Sequence, residues 1–240
     1  MARKTEVTQK AEQKTLTLEP VKKTRITLDL VGTSDLILNK KSRSFEMLEI
    51  WKQSHPKGEI PPKELTQEYN LWEKLITSID WKNPINFHDD DWKKYTEKEW
   101  TEYMKKNQPC VSSQAIFGSM YDAFVSFGYK DKTGKNGTDV KRAVSFSSNR
   151  YPITFASATY QQKLIPNNTM QHTNVLGQNN IFTGWKIPIE VYTADVAIPA
   201  KTVIDLIVTA GSFIGICTQR KNGYGRFTIA NVKTEDIKDF

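Results

Sequence analysis

The chain has 240 residues, with 34 Lys and Arg against 27 Asp and Glu (net charge +7), three histidines and two cysteines. That length supports one elaborated domain with a full core, and no apolar run reaches the roughly 18 residues of a membrane helix. Residues 1–10 lack the apolar stretch of a secretory leader. Cys110 and Cys217 form no CxxC and have no histidine at zinc spacing, so a disulfide scaffold and a zinc finger are excluded and a reducing, cytoplasmic setting is expected.

The charge is unevenly spread. Residues 59–102 hold eleven Asp and Glu against six Lys and Arg, a net −5, which leaves +12 for the rest. A basic body with an acidic segment points to an anionic partner for the body, nucleic acid first among them.

Residues 1–22 are polar, rich in Lys, Thr, Glu and Gln and without periodicity, which predicts a basic, flexible arm. Residues 23–240 then form a single domain. Residues 24–31 alternate apolar and polar, enriched in β-branched types, and end at Gly32: a half-buried strand. The chain continues extended over 33–38, and a short helix at 45–54 is expected to bury Phe45, Leu48 and Trp51. Residues 43–108 read as a helical insertion that carries five of the six tryptophans. Pro61 and Pro62 open a helix with Leu65, Tyr69, Trp72, Ile76 and Ile79 on one stripe. A second helix, from near Asp91, carries Trp92, Tyr95, Trp100 and Tyr103 on neighbouring turns.

Ser112 or Ser113 caps an apolar helix over 114–127 that turns Ile116, Phe117, Met120, Tyr121, Phe124 and Val125 inward and ends at Gly128. Residues 130–137 are a basic, glycine-containing surface loop. Strands follow at 151–155 and 185–191, the second with Pro188 on its polar face, a sign of an edge or a bulge. Pro199 introduces a helix over 200–210. The order of strand, insertion, helix, strands, helix, loop and strand fits an α+β, ferredoxin-like β-α-β-β-α-β core with a Trp-rich insertion.

Between the last helix and a strand at 226–232 lies a loop with glycines at 211, 215, 223 and 225. Glycine accepts positive φ and lets backbone N–H groups approach a ligand. Arg220, Lys221 and Arg226 add charge, and Tyr224 offers a ring to an unstacked base. Gly215, Arg220, Lys221, Gly223, Tyr224, Gly225 and Arg226 are therefore the candidate nucleic-acid-binding residues.

This loop resembles the glycine-rich loop of the RAMP superfamily, the ferredoxin-like RNA-binding subunits of CRISPR effector complexes. The chain also resembles a family of bacteriophage-encoded proteins of unknown function. The matching parts are a "Gly-Thr-x-x-Leu-Ile" turn at Gly32-Thr-Ser-Asp-Leu-Ile37 and a C-terminal "Gly-x-Gly…Gly-x-Gly-x-Phe" signature at 215–217 and 223–227. Cys217 stands where that signature has its second glycine. The resemblances imply a RAMP-like fold, a nucleic-acid ligand and a place in the bacterial host's cytoplasm.

No nucleophile motif, P-loop or HExxH is present, and no cofactor is expected. His88-Asp89-Asp90-Asp91 is the one metal-like run, and acids there also suit a helix start. His55, before Pro56, reads as a turn residue. The expected function is non-catalytic, self-assembling single-strand binding, to RNA or DNA. The alternatives are a host-defence partner bound through the acidic aromatic segment, and a metal-dependent nuclease at His88–Asp91.

Overall fold

A computed structural model describes residues 22–39, 43–62, 75–83, 96–129, 134, 136–166 and 174–237. Leu65, Tyr69, Trp72, His88–Asp91, Trp92, Tyr95, His172, residues 1–21 of the arm and most of the basic loop lie outside the described residues, as do the side chains of Phe45 and Leu48.

Among the described residues the fold is mixed α+β, with three antiparallel sheets. The largest has the order β10-β1-β9-β5, formed by β1 (Lys23–Gly32), β5 (Val144–Phe146), β9 (Lys186–Ala194) and β10 (Phe227–Ile237). β1 buries Thr24, Ile26, Leu28 and Leu30 and turns the residues between them toward the other face, so the sequence alternation becomes a two-faced strand. Two long helices connect this sheet. α3 (Ser113–Ser126) starts at Ser112, whose Oγ accepts from Ala115 N at 3.2 Å. α5 (Ala200–Thr209) has Pro199 at its N-cap, and the Asp195 carboxylate accepts from Ala200 N in place of a side-chain cap from Pro199. The two helices pack against each other, and α5 also meets β10.

β9 lies inside the sheet, yet Pro188 fits there. Pro188 faces Asp29 in the register with β1. The neighbouring even positions bond on the opposite side, at Lys186 with Thr154 and at Glu190 O with Ser147 N. Pro188 therefore turns its missing donor toward the gap between these two links, so the edge-like signal marks a local gap in the ladder.

A second sheet, β2-β8-β7, joins Leu36–Leu38 to the long hairpin of β7 (Ser157–Pro166) and β8 (Asn174–Thr183). A third joins β3 (Asp80–Trp81), β4 (Pro109–Ser112) and β6 (Arg150–Pro152). The strand expected over 151–155 is thus shorter, since the chain bends after Pro152 and makes only a single bridge, from Thr154 to Lys186.

The described part of the Trp-rich segment joins the common core. α1 (Arg43–Ser54) leaves Trp51 half-buried, stacked on His55 at 4.2 Å, and His55 Nδ1 lies 2.8 Å from Trp51 O. α2 (Glu97–Asn107) begins at Thr96 with a Thr96/Glu99 capping box and buries Trp100, Thr101 and Met104. Trp100 is fully buried, between Tyr103 and Tyr160. Leu75, Ile76, Ile79 and Trp81 belong to the same cluster. The aromatic stripe is therefore core at these positions, and removing 59–106 would remove core side chains along with surface. A short helix absent from the sequence reading, α4 (Gly137–Ala143), follows an Asn136/Asp139 capping box and leads into β5.

Candidate nucleic-acid interface

The two motifs singled out in the sequence meet in space. Thr33 N and Ser34 N donate to Arg226 O at 2.9 and 3.4 Å, Arg226 N donates to Ser34 Oγ at 2.9 Å, and Gly225 N donates to Asp35 O at 2.8 Å. Thr218 N and Oγ1 reach Ile37 O and Asn39 O. Gly32 is needed because a Cβ there would lie 2.4 Å from the Trp185 indole, whose Nε1 donates to Ser34 O at 2.7 Å. The loop also docks on α3, where Ser119 Oγ donates to Gly215 O.

After α5 the chain makes a π-helical turn, Ala210–Ile214, and then crosses itself. Ile216 N donates to Gly225 O at 2.9 Å. A Cβ on Gly225 would sit 2.2 Å from Ile216 O, and one on Gly215 would sit 2.6 Å from Tyr224 O. Both have positive φ, 69° and 78°. The expectation that these glycines aim N–H groups at a ligand gives way here. Gly215 N is taken by Ala210 O, Gly223 N by Arg220 O and Gly225 N by Asp35 O. Close crossing of two backbones is what requires glycine.

Cys217 has φ 62°. This left-handed position is held by a residue that carries a Cβ, at a cost of roughly 1–2 kcal/mol. Gln219 shares that conformation at φ 58°.

The charged residues separate into distinct settings. Arg220 Nη1 pairs with Asp122 Oδ2 on α3 at 2.9 Å, so part of its charge is spent within the fold. Lys221 and Gly223 are exposed on the 3-10 turn, and Tyr224 is half-buried. Arg226 is held by its backbone, and its Nη1 is buried with no hydrogen-bond partner among the described residues.

Beneath the loop is a half-open cavity of about 140 Å³, lined by Leu38, Ile79, Val111 and Ala115 with the polar groups of Asp80, Asn39, Ser78, Ser112 and Thr218. Both cysteines also line it. Burial pushes the Cys110 thiol up to about 11 and Cys217 to about 12, and the Asp80 carboxylate adds to both. Asp80 and Cys110 are direct cross-strand neighbours. Cys/Asp proximity across three elements left no trace in sequence spacing, so the cavity was not legible there. Among the described residues no group of three or more His, Cys, Asp or Glu side chains is placed to hold a metal ion. No helix among them is long and apolar enough to cross a membrane.

No protein-family model and no curated protein matches this chain. Among solved structures, a chain of the type III-B Cmr-beta complex, determined by cryo-EM bound to cognate target RNA, is similar with a TM-score of 0.44 and 12% identity. The match covers 89% of this chain, which spans 61% of the neighbour's length.

Proposed function

We propose that this protein is a non-catalytic, single-strand nucleic-acid-binding protein, with its site on the surface of the glycine-rich loop. The observation that carries this reading is Arg226. A guanidinium nitrogen buried without an acceptor is costly, and an anionic oxygen is the natural partner for its planar donor fork. Lys221, exposed on the preceding 3-10 turn, supplies a second phosphate contact, and Tyr224 a ring for a base or sugar. Arg220 is a weaker contributor because it must share its charge with Asp122. The four-stranded sheet supports the same reading. Its strand order, β10-β1-β9-β5, is what a ferredoxin-like β-α-β-β-α-β core would have, and it supports the RAMP-like reading on which this proposal draws.

The test is a salt titration on single- and double-stranded RNA and DNA. Each phosphate contact on a single strand contributes about −0.7 to the slope of log K against log salt. Lys221→Ala with Arg226→Gln is expected to reduce the slope by about 1.4 and to weaken binding without unfolding. An unchanged slope removes the loop from the site.

A second reading has its own observation. Phe127, at the end of α3, and Phe213, in the π-helical turn, lie 5.1 Å apart and expose 38% and 60% of their surface, and Val125 of α3 and Val208 of α5 are also exposed. Exposed aromatics of this kind serve protein interfaces. Self-association through this surface fits assembly along a strand, and concentration-dependent sedimentation of Phe213→Ser against the native protein tests it.

A further inference from the structure

Resting on the reading of the loop as a single-strand site, we infer that Asp122 is a built-in competitor of the strand. Its carboxylate holds Arg220 in the free protein, and a phosphate gains Arg220 as a third contact only by displacing it. Three observations lead there. The first is the pair. Arg220 Nη1 of the loop donates to Asp122 Oδ2 of α3 at 2.9 Å. Carboxylate and phosphate oxygens both match the guanidinium fork, so Asp122 stands where a phosphate would bind. The second is access. The Arg220 side chain is 34% exposed and that of Asp122 48%, and Lys221, the next residue on the 3-10 turn, is exposed. A strand held at Lys221 therefore brings its phosphates to a cation that water already reaches. The third is the backbone. Asn222 N donates to Gln219 O at 2.9 Å and Gly223 N to Arg220 O at 3.1 Å, and Ser119 Oγ ties Gly215 O to α3. The turn is held without the ion pair, so the Arg220 side chain can change partners while its backbone stays in place.

Magnitudes decide whether the exchange occurs. A pair this exposed is worth roughly 1.4- to 5-fold in an equilibrium constant. A phosphate contact on a single strand scales as salt to the power of about −0.7. Taking about 1 M as the point where that contribution vanishes, it multiplies binding by roughly 8 at about 50 mM salt and by roughly 3 at about 200 mM. The strand thus wins Arg220 at low salt, and the two anions compete on near-equal terms at the higher one. Asp122 lowers affinity in both conditions, because every complex that uses Arg220 must first release the carboxylate. The carboxylate therefore sets how tightly the loop holds its strand and at what salt it lets go.

The experiment is a salt titration of the full chain on short oligouridine and oligothymidine strands. Asp122→Asn keeps an oxygen that accepts from Arg220 and removes only the charge. It is expected to bind roughly 1.4- to 5-fold tighter than the native protein, with a slope of log K against log salt steeper by at most about 0.7. Adding Arg220→Gln to Asp122→Asn should remove the gain, and Asp122→Glu, which keeps the charge, should bind like the native protein. Asp205→Asn takes the same charge from an exposed position on α5 and should leave affinity unchanged. Native-like or weaker binding by Asp122→Asn overturns the competitor, the weaker case showing that Asp122 positions Arg220 for the strand. A gain that survives Arg220→Gln, or that Asp205→Asn matches, overturns it as a general effect of net charge. In each of these cases salt-sensitive binding leaves the loop reading standing. Absence of binding by every variant at about 50 mM salt overturns both.

Discussion

Substituting alanine at two glycines of the same loop separates conformational strain from backbone crowding. Gly223 and Gly225 have φ of 86° and 69°, but a Cβ at Gly223 meets nothing within 4 Å, whereas one at Gly225 lies 2.2 Å from Ile216 O. For Gly223→Ala, roughly 1–2 kcal/mol of left-handed strain is partly offset by roughly 0.4–1 kcal/mol from the stiffer unfolded chain. The net loss is about 1 kcal/mol. Gly225→Ala carries the same strain and must also push the crossing backbones apart. That sacrifices Ile216 N to Gly225 O and Gly225 N to Asp35 O, about 1 kcal/mol each. The total is about 3 kcal/mol. At about 2–4 °C per kcal/mol for a chain of this size, Gly225→Ala should melt about 6–12 °C below the native protein, and Gly223→Ala about 2–4 °C below. Thermal unfolding followed by circular dichroism, with urea titration beside it, measures both. Melting temperatures within about 2 °C of each other, or the opposite order, would refute the assignment of Gly225 to the backbone crossing.

Trp100→Ala should cost about 3–5 kcal/mol in urea unfolding, because the ring is fully buried between Tyr103 and Tyr160 and leaves a cavity. Arg220→Ala, which breaks a half-exposed pair with Asp122, should change stability by about 1 kcal/mol or less. Asp29 is held below the ordinary carboxylate range by hydrogen bonds from Lys186 and Asn231. Its stabilisation is complete above the unfolded value near 3.9 and fades as pH falls through the lower folded value. The stability gap between the native protein and Asp29→Asn, measured by urea titration, should therefore narrow from pH 6 to pH 3; a constant gap would show that the carboxylate's charge plays no part. Both thiols are raised by burial, so alkylation of the folded protein at pH 7 should be much slower than after unfolding.

Local order was what the sequence could determine here. The alternation of 24–31, the Ser112 cap with the apolar stripe behind it, and the helix after Pro199 each depend on neighbours within a turn or a pleat, and each formed near its expected bounds. Asn136 with Asp139 carried a capping-box signal for α4 that composition obscured as a basic loop. Register and long-range pairing were decided only by tertiary structure. Gly215 and Gly225, which read as part of a ligand cradle, proved to be spacers at a backbone crossing, where Gly225 N donates to distant Asp35 O and Gly225 O accepts from Ile216 N. Arg220 looked like a free cation until α3 brought Asp122 to it. Asp80, Cys110 and Cys217 share one cavity although the last two are separated by more than a hundred residues. Spacing along a chain reports geometry only where one regular element fixes it, and this cavity is assembled from β2, β3, β4, α3 and the loop.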